Sequence, residues 1–154
     1  MFDYENFKSQ VHEKKNSYNN ELPFPYALFD GLFDDELLSL VNDEINLGNF
    51  QKDVRSIDKE EVKTRSDFED NEDVPPMVRK VFDILNGGKF LNLISQLTEI
   101  EGLISDPYFD GGGVNIIGNG GKLAVHVDGT THHRMKICRR LNAILFLKEY
   151  WDPS

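Results

Sequence analysis

A chain of 154 residues and 17.7 kDa has room for one domain; chains of that size bury roughly 68–70% of their unfolded surface, enough for a core without staples. Its 17 basic and 27 acidic side chains leave a formal net charge of −10. That surplus repels phosphate backbones and anionic lipid, and so excludes general nucleic-acid or membrane-surface binding. A single cysteine, Cys138, excludes an intrachain disulfide framework and a cysteine-cluster zinc site. The longest apolar run, Ala143–Leu147, is far short of the roughly 20 residues of a membrane span. Met1-Phe2-Asp3-Tyr4-Glu5 has neither the basic start nor the apolar stretch of a secretion signal. The expectation is an acidic, cytoplasmic, single-domain protein.

Residues 1–22 read as a polar N-terminal arm or weak helix, with Phe2, Tyr4, Phe7 and Val11 loosely at helical spacing; residues 23–154 read as the domain proper. Pro23-Phe24-Pro25-Tyr26 brakes the chain into a short apolar strand. Asp34 or Asp35 can cap a helix with Leu37, Leu38, Val41 and Ile45 on one face, ended by Gly48. Residues 51–75 carry mixed charges and read as a surface strand and loop. After Pro75-Pro76, Met77, Val78, Val81, Phe82 and Leu85 form one wide helical stripe. Gly87-Gly88 interrupts it, and Phe90, Leu91, Ile94 and Leu97 begin another.

The character then switches. Eight of the 12 glycines fall between Gly102 and Gly129, and the apolar period shortens towards that of strands. Val114–Ile117 reads as a strand, Gly118–Gly121 as a tight turn, Lys122–Asp128 as the returning strand, and Ala143–Leu147 as a strand buried on both faces. Helices followed by antiparallel strands give an α+β expectation.

Several motifs fail on their spacing. In the acidic run Asp67–Asp73, Glu72 stands where a calcium loop needs glycine. Gly121-Lys122 is followed by Leu123, not the Ser or Thr of a phosphate loop. What remains is His126-Val127-Asp128. On a strand, alternate side chains share a face, so the imidazole and the carboxylate can reach one cation as adjacent ligands. Leu123, Val125 and Val127 are expected to point the other way, into a core. Such a pair is the usual first half of a 2-His-1-carboxylate facial triad on ferrous iron; the alternative is a strand whose polar edge faces water. His12, His132 and His133 are expected at the surface, and Arg134, Lys136, Arg139 and Arg140 as a solvated basic cluster.

The series Gly111-Gly112-Gly113, Gly120-Gly121-Lys122-Leu123, His126-Val127-Asp128, Arg140-Leu141-Asn142, Ala143–Leu147 and Trp151 resembles the Fe(II)/2-oxoglutarate-dependent dioxygenases, specifically the prolyl-4-hydroxylase-like group. The Pro-Phe-Pro-Tyr segment and the three helices match that group's N-terminal support layer, so the resemblance runs from about residue 23 onward. It implies helices packed on a double-stranded β-helix (jelly-roll, cupin-like) core, with iron held by His126 and Asp128. It also implies 2-oxoglutarate as cosubstrate, ascorbate as an accessory cofactor, and hydroxylation of an unactivated C–H bond in a peptidyl-proline or small-molecule substrate.

In the family a distal histidine completes the triad, and a basic residue beyond it pairs with 2-oxoglutarate. Neither occurs before Ser154, so the expectation is a C-terminally incomplete domain that is inactive alone. It would be completed by a further segment or a second chain, or would self-associate through the Ala143–Leu147 edge. Asn115 stands where many members place an aromatic residue or histidine. Two other functions compete: a non-catalytic binding or structural module derived from the fold, and a metal module of another kind that uses His126 and Asp128.

Overall fold

The computed structural model describes residues 1–47, 53–54, 64–68, 74–117 and 125–148. They fall into two compact units. The first comprises residues 1–46, 75–105 and the chain from Phe146; the second comprises residues 47–74 and 106–145. Gly48, most of the charged stretch 51–75, the turn and start of the returning strand at 118–124, and Trp151 lie outside the described residues.

The first unit is helical. Asp3 caps α1 (Tyr4–Lys14) by accepting from the Glu5 and Asn6 amides, which satisfies donors that an open helix end would leave bare. Phe7 is fully buried and Val11 nearly so. The residues expected as a polar arm therefore supply the centre of a core. Phe2 is drawn in with them by a bridge to Phe33, with Asp3 N donating to Leu32 O at 2.7 Å. The polar face of α1 is also occupied. Asn6 Nδ2 donates to the carbonyls of Asp30 and Gly31, and Gln10 exchanges hydrogen bonds with the Asp30 backbone. These contacts hold residues 23–32 as an irregular segment where a short strand was expected. The apolar side chains there, Ala27 and Phe29, still pack against the core.

Helix α2 (Asp35–Leu47) buries Leu37, Val41 and Ile45, the expected stripe, and Asp34 Oδ1 accepts from Leu37 N at 2.9 Å. Helix α3 (Pro76–Leu85) buries Val78 and Val81. Its N-cap, Pro75, has no side-chain acceptor, and Glu44 of α2 provides one: Oε2 accepts from Met77 N at 2.7 Å and Val78 N at 3.0 Å. A carboxylate placed there also meets the positive end of the helix dipole. Gly87 lies between α3 and α4 (Gly88–Thr98), where a Cβ would crowd the carbonyls of Asp83 and Ile84, at 3.1 and 3.2 Å. Helix α4 returns Phe90 and Leu97 to the core, where the Phe90 ring stacks on Phe7 with centroids 4.9 Å apart.

The second unit carries a three-stranded antiparallel sheet in the order β1 (Asp53–Val54), β2 (Thr64–Asp67), β3 (Gly113–Ile116). The register pairs Asp53 with Arg65 and Asn115 with Arg65 on the other side. Phe68 and Phe109 are its buried aromatics.

Of the two expected later strands, residues 122–124 lie outside the described residues, and among the described residues 125–128 and 143–147 show no strand pairing. Val125 and Val127, expected in a core, are fully and nearly fully exposed, as are most of Ile144 and Phe146. An alternating or continuous apolar pattern is buried only where a second surface lies against it, and the described residues leave these four side chains open. No helix among the described residues is long and apolar enough to cross a membrane.

Phe7 sits at the convergence of α1, α4 and the 27–33 segment. Phe7→Ala should cost the helical unit about 3–5 kcal/mol, the usual penalty for emptying a buried aromatic site. Denaturant unfolding followed by far-UV circular dichroism measures it, and a loss below about 1 kcal/mol would show that the site is not the core.

Candidate functional site

His126 and Asp128 lie two residues apart on a segment without regular secondary structure. Their side chains lean together: His126 Nε2 lies 3.2 Å from Asp128 Oδ1, with the two side chains 44% and 55% exposed. Two donors each about 2.1 Å from one ion, at about 90° to each other, would be about 3.0 Å apart. The 3.2 Å separation is that of an ordinary imidazole–carboxylate contact and also lies near that of adjacent metal ligands, and the donor types, one imidazole nitrogen and one carboxylate oxygen, suit ferrous iron. The second carboxylate oxygen, Asp128 Oδ2, accepts from Asn142 Nδ2. Among the described residues no group of three or more His, Cys, Asp or Glu side chains is arranged to hold a metal.

The loop between Asp128 and Asn142 is closed on itself. Thr131 bridges Cys138, Arg139 N donates to Thr130 O at 2.8 Å, and His132 N donates to Ile137 O at 2.9 Å. Lys136 takes the left-handed backbone, φ 56°, that turns the tip. This loop is fastened to a second one, residues 106–112, that leads into β3.

His132 makes the join. It was expected at the surface but is only 3% exposed. Nε2 lies 2.9 Å from Asp106 Oδ1, while Nδ1 accepts from the Met135 and Arg134 amides at 3.0 and 3.2 Å. Nδ1 also stands 3.3 Å from Asp110 Oδ2, so two carboxylates face this one ring. A ring with both nitrogens satisfied loses little on leaving water, which is why a polar loop residue can be buried here.

Asp106 also builds the loop that receives the histidine. Its Oδ1 accepts from Tyr108 N at 2.9 Å, and its Oδ2 from Asp110 N at 2.8 Å. The turn forces Phe109 to φ 50° and Gly111 to φ 74°. A side chain at Gly111 would also run into the Arg139 guanidinium, so the position requires glycine.

Asp110 is the anchor on this side. Its side chain is 7% exposed; Oδ2 accepts from His133 N at 2.6 Å and Oδ1 lies 3.0 Å from His133 Nδ1. Arg139 donates to the Asp110 carbonyl and stands 3.4 Å from its carboxylate. Arg139 is therefore a structural cation, not part of a solvated basic cluster, and Arg134 lies over the Tyr108 ring, 5.0 Å from its centre. His133 remains exposed at its ring, as does His12 on α1.

The structure brings His126 and Asp128 together, sets Asn142 of the Arg140-Leu141-Asn142 motif against Asp128, and adds two residues that pattern reading passes over, Asp106 and Asp110. The available signals were Asp106-Pro107, a turn-starting dipeptide, and the glycine at 111 that a left-handed turn demands.

Burial alone pushes the Asp110 carboxyl up. The hydrogen bonds from the His133 ring and amide, with the positive charges of His133 and Arg139, outweigh it and hold Asp110 below the usual carboxylate value. A carboxyl depressed on folding stabilises the native state above its unfolded value, and that contribution is lost as the pH falls through the folded value. Asp110→Asn should thus speed amide exchange at Gly112 and Lys136 at neutral pH, and its difference from wild type should shrink below about pH 4. Equal exchange at neutral pH would remove Asp110 from this role.

Comparison with known protein families, characterised proteins and solved structures finds no match to this chain.

Proposed function

We propose that the chain carries two of the protein ligands, His126 and Asp128, of a ferrous ion in a 2-oxoglutarate-dependent dioxygenase of the prolyl-4-hydroxylase-like group. The observation that carries this reading is the 3.2 Å approach of His126 Nε2 and Asp128 Oδ1 on an exposed segment, close to the separation of two adjacent ligands. The ordered series of motifs around the pair supports it. Iron bound there would, with dioxygen as the oxidant and 2-oxoglutarate as the co-substrate oxidised to succinate and carbon dioxide, supply the chemistry for hydroxylating an unactivated C–H bond, with ascorbate as an accessory reductant. The chain's own part is to present one nitrogen and one oxygen side by side and to leave the other coordination positions to the remaining protein ligand and to cosubstrate.

The fold proposed with it is a double-stranded β-helix that includes β1–β3, with the helices as a support layer. Peptidyl proline is the leading substrate class, ahead of small molecules, because it is the family's own. A cytoplasmic location belongs to the same proposal. Cys138 is free and exposed, as suits a reducing compartment.

Anaerobic titration of the 154-residue chain with Fe(II) tests the pair. Two protein ligands should give weak binding that disappears in both His126→Ala and Asp128→Ala. Tight stoichiometric binding that survives His126→Ala would dispose of the assignment, as would no difference between wild type and either variant.

A further inference from the structure

We infer that Asn142 is a positioning residue for Asp128: its amide occupies one carboxylate oxygen and so presents the other to the metal beside His126. The inference rests on the metal reading above and extends it to a residue that touches no metal. Asn142 Nδ2 donates to Asp128 Oδ2, while Asp128 Oδ1 is the oxygen that faces His126 Nε2. A carboxylate only accepts hydrogen bonds, so the amide must turn its NH2 towards it, and the orientation of Asn142 is fixed by chemistry. With Oδ2 taken, rotation of the carboxylate about its last torsion is stopped. Coordination through both oxygens is then disfavoured, which keeps a position open next to the Asp128 ligand. Outer partners of this kind orient a ligand and tune its basicity.

The contact is long-range and follows from the loop. Thr131 bridges Cys138, and Thr130 accepts from Arg139. This bridge and hydrogen bond run the two arms of the loop antiparallel, which returns the chain after Arg139 towards Asp128. The closed loop thus converts a separation of 14 residues into a side-chain contact.

The test has a metal-free arm and a metal arm, both on the full chain. Without metal, the Asn142 side-chain amide resonances should move in Asp128→Ala and stay in Arg140→Ala. With Mn(II), followed by loss of the free-ion electron paramagnetic resonance signal, Asn142→Ala should weaken binding at least tenfold, the usual cost of losing such a partner. Asn142→Asp, which sets a second carboxylate against Asp128 Oδ2, should also weaken it. Asn142→Thr, which restores a donor, should recover much of the affinity, an effect that a merely structural role would not produce. Unchanged amide exchange at Lys136 checks that the loop is intact. Mn(II) binding that needs His126 but ignores Asn142, or equal losses in the Ala and Thr variants, overturns the inference alone. No His126-dependent Mn(II) binding by wild type overturns the metal reading and this inference together.

Discussion

Asp110 is a nearly buried carboxylate, and a carboxylate in that position is tolerated only when its lone pairs are met by donors and its charge by cations. Here the backbone amide and ring of His133 and the guanidinium of Arg139 meet both needs. All of these donors belong to the 130–139 loop, so meeting them fixes that loop against residues 106–112. Removing any one donor would leave the carboxylate short and loosen the join. The left-handed backbone at Phe109 and Gly111 is sustained by the same arrangement, since Asp106 accepts from Asp110 N and Arg139 fills the space beside Gly111. The loop's closure, and with it the approach of Asn142 to Asp128, depends on this polar lock.

The helical unit is held by a different kind of force. Its centre is a group of aromatic rings, with Phe7 against Phe90 and Phe29, and Phe2 against Phe33 and Tyr4. Area burial dominates there, and edge or stacked ring geometry adds a smaller term. Polar contacts act at the margins of that unit, where helix ends need acceptors: Asp3 for α1, Asp34 for α2 and Glu44 for α3. In the second unit the order is reversed. Its described aromatics are few, and directional hydrogen bonds to two aspartates carry the loop geometry.

That difference decides what could be read in the sequence. The stripes Leu37, Val41, Ile45 and Val78, Val81 are periodic, and periodicity reports a face that is buried by area, so α2, α3 and α4 were legible with their caps and the Gly87 break. Helix α1 was underrated because its polar side chains outnumber its apolar ones, and its stripe counts only once Phe2 is pulled in by Phe33. The burial of His132 is hidden from the sequence for the opposite reason. Its partner Asp106 lies 26 residues away, and no local period encodes such a distance. The strands expected at 122–128 and 143–147 were inferred from alternation or from an apolar run, but neither pattern specifies the surface that would cover it. Val125, Val127, Ile144 and Phe146 show that gap directly.

The candidate site divides along the same line. The identity of the two proposed ligands is local information: the imidazole and the carboxylate stand two positions apart in sequence and their side chains approach to 3.2 Å. Such a pair alone leaves the carboxylate free to turn, and either oxygen could face the histidine. What distinguishes the two oxygens is Asn142, and what delivers Asn142 is the loop closed by Thr131 with Cys138 and fastened through His132 and Asp110. A short motif therefore names the proposed donors, while contacts of Asp106 and Asp110 with the 130–139 loop, made across 23 to 29 residues of sequence, hold the loop that leads to Asn142.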